Sequence, residues 1–200
     1  MEEKIKLEYE VEVRDKNGKL IKSIKGKSKS LLKNFMTVLR ATLYGNLMTE
    51  TETILDRDNV SHTFPNLYSS ANDHMSINAP SNDDNYGIVV GTGDTPVDVD
   101  DVDLESPISN GTGSGQLLYG DTTIEAVQTA NSTSSFRVIR SFSNSSGESI
   151  TVKEIGIAIR HQHKDDGKIY ILIVRDVLAS PTSIPDGASF TVRYTWSVSA

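Results

Sequence analysis

Between residues 5 and 13 apolar Ile5, Leu7, Tyr9, Val11 and Val13 alternate with Lys6, Glu8, Glu10 and Glu12. A period of two marks a strand with one buried face. Asp15-Lys16-Asn17-Gly18 follows, and Asn-Gly supplies the positive φ of a tight turn, so residues 19–24 are expected to return antiparallel. The period then lengthens. Leu31, Leu32, Phe35, Met36, Val38, Leu39 and Leu43 recur at three- and four-residue spacing, with Ser28 or Ser30 as a cap and Gly45 as a stop. This predicts one amphipathic α-helix near residues 30–44, its stripe packed on a sheet.

Residues 46–85 carry no sustained period. Short apolar pieces, Ile54-Leu55 and residues 64–68, lie among Ser, Asn, Asp and Thr, and the segment reads as a long excursion with one or two short strands. Loops of this length tend to be functional or ordered by a partner; a neighbouring subunit is the expected one.

From Tyr86 onward the pattern is of strands between turn clusters, at 87–91, 122–129, 136–142, 149–160, 168–176 and 188–199. In the last, Phe190, Val192, Tyr194, Trp196 and Val198 share one face, which puts Trp196 in the core. Residues 169–174 are apolar at both parities, as in a central strand covered on both sides, with the helix a candidate cover. The expected class is mainly β: an antiparallel β-sandwich, jelly-roll-like or immunoglobulin-like, with one packed helix. It is expected as a single domain over residues 1–200, with a hairpin and helix (1–45), the excursion (46–85) and the sandwich core (86–200).

Composition narrows the function classes. Two hundred residues are the size of one large or two small domains, so a large multidomain enzyme is not expected. Twenty Lys and Arg against 27 Asp and Glu give a net charge of −7, which disfavours a phosphate-neutralising surface, so no nucleic-acid partner is expected. The absence of Cys excludes disulfides, thiolate metal sites and Cys nucleophiles and fits a reducing compartment. No signal-peptide stretch follows Met1. The longest apolar run, 169–174, is six residues against about 20 for a membrane-spanning helix, so no membrane partner is expected.

Candidate chemistry is thin. Asp94, Asp98, Asp100, Asp101, Asp103 and Glu105 invite a calcium reading, but the Gly and Glu positions of the helix-loop-helix site are missing. A solvated acidic loop is expected, with a bound cation or a subunit contact as alternatives. His161-Gln162-His163 puts two imidazoles on one side of a strand, with Asp165 and Asp166 just after. No third ligand is identifiable, and Asp165-Asp166-Gly167 reads as a hairpin turn, so a polar hairpin tip is the expectation. His62 and His74 have no recognisable partner. Gly91-Thr92-Gly93 and residues 111–115 lack the spacing of a phosphate cradle, and no Gly-x-Ser-x-Gly occurs. No catalytic, cofactor-binding or metal residues are assigned, and no enzyme is expected. Glycosylation-type triplets at Asn59, Asn110, Asn131 and Asn144 read as chance in a Ser/Thr/Asn-rich chain.

Three stretches resemble structural proteins of tailed bacteriophages and tailed archaeal viruses. The first is Ile88-Val89-Val90-Gly91-Thr92-Gly93-Asp94-Thr95-Pro96, leading through an Asp-rich turn to Leu104-Glu105-Ser106-Pro107-Ile108. It is similar to the opening of many tail, collar and fibre-associated proteins. The second, Ile150-Thr151-Val152-Lys153-Glu154-Ile155-Gly156-Ile157-Ala158, resembles their I-x-E-x-G-L strand. The third, from Leu172-Ile173-Val174-Arg175-Asp176-Val177 through Pro185-Asp186-Gly187 to the terminal alternating strand, looks like their closing hairpin. Coverage is residues 86–200, and the order of the motifs carries the likeness. Each also has a structural reason: Gly91 and Gly93 permit a sharp exit from a strand, Glu154 marks a bulge that re-aims its neighbours, and Pro185-Asp186-Gly187 makes a turn.

The resemblance implies a virion component assembled in the host cytoplasm. It would form a homo-oligomeric ring or trimer with other virion proteins of a tail, neck or baseplate, through segments 46–85 and 94–105. The alternatives are a capsid decoration protein that clamps head subunits, or a receptor- or carbohydrate-binding module using Tyr68, Tyr86 or Tyr119.

Overall fold

The computed structural model describes residues 5–44, 52–64 and 75–199. Strand β1 (Ile5–Arg14) runs as its alternation requires, with Leu7, Tyr9, Val11 and Val13 buried. The Asp15 carboxylate accepts the N–H groups of Asn17 and Lys19, and Gly18 takes φ 79°. This closes the turn into β2 (Leu20–Lys27), which pairs antiparallel with β1.

Helix α1 (Lys33–Tyr44) follows. It starts later than the spacing predicts, because Leu31 and Leu32 are used in extended form: Leu31 bridges Val174, and the Leu32 N–H donates to the Ile173 carbonyl. Gly45 lies outside the described residues. In the excursion, β3 (Glu52–Leu55) and β4 (Ser61–Phe64) form a hairpin, in line with the expected one or two short strands.

The remaining strands are β5 (Gly87–Gly91), β6 (Leu118–Ile124), β7 (Gln128–Ala130), β8 (Thr133–Ser143), β9 (Ile150–His163), β10 (Gly167–Ile184) and β11 (Ser189–Ser199). One sheet has the order β2-β1-β11-β8-β6, with β7 also on β8; the other is β10-β9-β5. Every pair is antiparallel. Val11, Val138, Phe142 and Val192 of the first sheet share a single apolar core with Ile88, Ile155, Ile157 and Ile171 of the second. The protein is mainly β and sandwich-like, with one helix among the described residues. Its first and last strands are neighbours in register, Val11 opposite Val192.

A smaller cluster, Leu32, Ala79, Tyr86, Val89, Leu104, Ala158 and Leu172, covers the outer face of the three-stranded sheet. That explains why residues 169–174 are apolar at both parities, although β10 is the end strand of its sheet and not a central one. Its free edge is closed by the Ser30–Leu32 backbone and by the Arg57 N–H on the Tyr170 carbonyl, and α1 packs on it.

Three further expectations are corrected. Residues 122–129 divide between β6 and β7. The Pro185-Asp186-Gly187 turn is present, with Gly187 at φ 76°, but it is not a closing hairpin: β10 pairs with β9 and β11 with β1 and β8, so the chain crosses between sheets there. Trp196 is only half-buried, because the core narrows toward the end of β11, where Val198 is exposed. Its ring lies against Phe35 and Phe136, with centroids 5.6 and 6.3 Å away.

Candidate functional site

The first two motifs of the resemblance meet in space, and Glu154 is where they meet. Its side chain is fully buried. Oε1 accepts the N–H groups of Gly93 (3.0 Å) and Ser106 (2.9 Å), and Oε2 accepts the Glu105 N–H (3.1 Å) and the Arg175 Nε–H (2.9 Å). A buried carboxylate is tolerated only when its lone pairs are filled in this way. Arg175, from the third motif, also donates to Asp101 Oδ2 (2.8 Å) and to Thr95 (carbonyl 3.3 Å, hydroxyl 3.2 Å).

Gly91 and Gly93 are needed for space rather than for an unusual φ, since neither has positive φ. A Cβ on Gly91 would lie 2.7 Å from the Ser106 carbonyl oxygen, and one on Gly93 would lie 2.6 Å from Glu154 Oε1. The register irregularity expected at Glu154 sits across from it, in β10 between Val177 and Thr182.

The acidic loop is therefore not simply solvated. Asp94 pairs with Lys153 (2.7 Å), Asp100 with Lys33 (3.3 Å) and Asp103 with Arg57 (2.6 Å). Glu105 Oε2 accepts the Asp94 and Thr95 N–H groups, both at 2.8 Å. The hydrogen bond from Lys153 holds the Asp94 carboxyl below its ordinary range, and the Thr95 hydrogen bonds do the same for Glu105. Burial pushes Asp103 up despite Arg57. Ion pairs and backbone N–H groups thus tie the loop down to the sandwich.

A second buried cation, Arg140, is a hub for main-chain carbonyls. Nε donates to Gly120 O, one terminal nitrogen to Tyr86 O and Ile88 O, and the other to Pro80 O and Asp83 O, at 2.5–3.1 Å. Five donors meet five acceptors. Burial pulls its pKa below the usual arginine value. Arg140 was visible as a charged residue at the inward parity of Val138 and Phe142, a signal the strand reading passed over.

The histidines are placed differently from the expectation of a polar tip. His161 and His163 are buried on the inner face of β9, with the His161 ring 4.9 Å from that of Phe64. Residues 164–166 do form the turn. The β3–β4 hairpin brings His62 against them. His62 Nδ1 lies 2.7 Å from Asp166 Oδ2 and its Nε2 lies 2.8 Å from Asp56 Oδ2, while His163 Nδ1 is 3.0 Å from the same Asp166 oxygen. Burial lowers the His62 pKa, but the hydrogen bonds to Asp166 and Asp56 outweigh it and hold it above the ordinary value; His62 in turn holds Asp166 down. No spacing rule joins positions 62, 163 and 166, so pairing across two hairpins was not legible. His74 lies outside the described residues.

Two further surfaces bear on function. Met36, Leu39, Leu43 and Tyr44 of α1 are exposed, whereas Asn34, Val38 and Ala41 are buried. At 100° per residue these are different faces of the helix, so among the described residues the broad apolar stripe serves the core with one side and is exposed on the other. The tyrosines considered for carbohydrate binding do not form a platform: Tyr86 and Tyr119 are buried, the latter donating to Ile108 O at 2.6 Å, and Tyr68 lies outside the described residues.

No family model matches the chain, and neither a curated protein nor a solved structure matches it. No described helix is long and apolar enough to cross a membrane.

Proposed function

We propose that this protein is a structural subunit of a virion of the tailed-virus type, acting in a tail, neck or baseplate by binding copies of itself and neighbouring virion proteins. The observation that carries this reading is the outward apolar face of α1, where Met36 is 60% and Leu43 79% exposed beside Leu39 and Tyr44. Contiguous exposed apolar side chains of this kind mark interaction sites. A further copy of this chain is the simplest partner, because a patch that meets a different surface of the next copy closes a ring or trimer when the rotation between copies closes.

The residues of the resembling motifs support the same reading. Glu154, Arg175, Gly91 and Gly93 are consumed in fixing the backbone of a surface loop, which is the work of a scaffold that must present the same outline in every copy. Chemistry on a substrate plays no part in this function.

The test is a charge placed on the helix face. Met36→Glu with Leu43→Glu is expected to lower the light-scattering mass of the purified protein while leaving its circular dichroism unchanged. An unaltered mass would remove α1 from the assembly surface.

A further inference from the structure

We infer that His62, His163 and Asp166 form a binding site for a first-row divalent cation of the zinc type, which clamps the β3–β4 hairpin onto the turn between β9 and β10. One donor atom from each residue lies within 4.8 Å of the other two. Asp166 Oδ2 is 2.7 Å from His62 Nδ1 and 3.0 Å from His163 Nδ1. Tetrahedral zinc with bonds of about 2.0–2.2 Å sets its ligand atoms about 3.3 Å apart, so the two Asp166 contacts would open to about that separation as an ion enters.

The surroundings are those of ligating histidines, whose other ring nitrogen characteristically holds a carboxylate or a backbone carbonyl. His62 Nε2 faces Asp56 Oδ2 at 2.8 Å, and Asp56 is itself oriented, its Oδ1 accepting the N–H groups of Asp58 (3.0 Å) and Val60 (2.8 Å). His163 Nε2 donates to the Thr63 carbonyl at 2.9 Å. That bond fixes the tautomer that leaves a lone pair on Nδ1. Both rings are buried, while the Asp166 side chain is 46% exposed and gives an ion access from solvent.

The electrostatics of His163 point the same way. Its Nδ1 accepts the N–H groups of Asp165 (3.3 Å) and Asp166 (3.1 Å), yet a carboxylate oxygen faces that atom at 3.0 Å. A cation bound here would take that lone pair from the two N–H groups and offset its repulsion with the carboxylate. Two imidazoles and one carboxylate, with no thiolate, select zinc, cobalt or nickel over magnesium and calcium. The clamp would add to the anchoring of β3–β4, which among the described residues shares no ladder with either larger sheet and is otherwise held by Ile54 and Phe64 in the core.

The test uses the full chain without a histidine tag, stripped with chelator and dialysed. Calorimetric titration with Zn²⁺ is expected to show one equivalent bound with a raised thermal midpoint, no heat with Mg²⁺, and intense visible bands of four-coordinate Co²⁺. Asp166→Asn is expected to bind Zn²⁺ at least about tenfold more weakly and to show a correspondingly smaller rise in thermal midpoint on adding Zn²⁺, each measured against its own metal-free form. His163→Gln is expected to abolish the Co²⁺ bands. No Zn²⁺ binding by the wild type, or unchanged affinity in Asp166→Asn, would overturn the assignment, whether or not the protein assembles.

Discussion

Arg175 and Glu154, on the adjacent strands β10 and β9, form an ion pair almost wholly removed from water, with Nε and Oε2 2.9 Å apart and side-chain exposures of 2% and 0%. Removing one partner of such a pair strands the other charge, at a cost of about 3–5 kcal/mol. Glu154→Ala is therefore expected to lower unfolding free energy in urea by an amount in that range. It also frees the N–H groups of Gly93, Glu105 and Ser106, so hydrogen exchange across residues 92–107 is expected to accelerate more than elsewhere. A loss below about 1 kcal/mol with unchanged loop protection would show that the pair is not holding the loop.

The glycines beside this pair give a second, steric test. Gly91→Ala places a methyl group against the Ser106 carbonyl and the Glu154 side chain, and overpacking of this kind costs about 1–3 kcal/mol. Gly147→Ala is the control, because a Cβ there meets nothing within 4 Å and only its φ of 82° is strained. Both variants are expected to be less stable in urea titration, but only Gly91→Ala should increase exchange in residues 92–107.

Arg140 offers a test of hydrogen-bond count. Lysine keeps the charge but has three donors for the five carbonyls of Gly120, Tyr86, Ile88, Pro80 and Asp83. Arg140→Lys leaves at least two acceptors unfilled, each costing about 1–3 kcal/mol. Denaturant unfolding is expected to show the loss, and exchange should rise in residues 80–88. Stability equal to wild type would mean that charge alone suffices.

Asp176 predicts a pH dependence. Its carboxylate accepts the Tyr194 hydroxyl at 3.0 Å inside the core, and burial raises its pKa above the ordinary carboxylate value. A group whose pKa is raised by folding contributes stability below the unfolded value, about 4, and loses that contribution as pH rises through the folded value. Asp176→Asn removes the ionisation. The thermal midpoint of the variant relative to wild type is expected to rise between pH 4 and pH 7; a difference that stays flat or falls would contradict the sign.

Much of the fold was legible because burial imposes its own period. The alternation at residues 5–13, the Asn17-Gly18 turn and the apolar run at 169–174 each mapped onto real elements. The helix was legible as a helix but not in its role: Leu31 and Leu32 fit its spacing yet serve the edge of β10, and Met36, Leu39 and Leu43 turn outward. Which apolar side faces the core depends on where the sheet lies, which local spacing does not encode. The polar sites were least legible. Glu154 contacts loop residues 48 and 61 positions away, and His62 meets Asp166 across 104, so their partners are set by topology alone.

The central claim is that the protein works as one of several identical copies, and native mass spectrometry of the purified chain tests it most directly. A discrete closed multiple of the 21.9 kDa subunit mass is predicted, trimeric or ring-sized and reduced to the monomer by Met36→Glu with Leu43→Glu. A single 21.9 kDa species at every concentration would contradict the account.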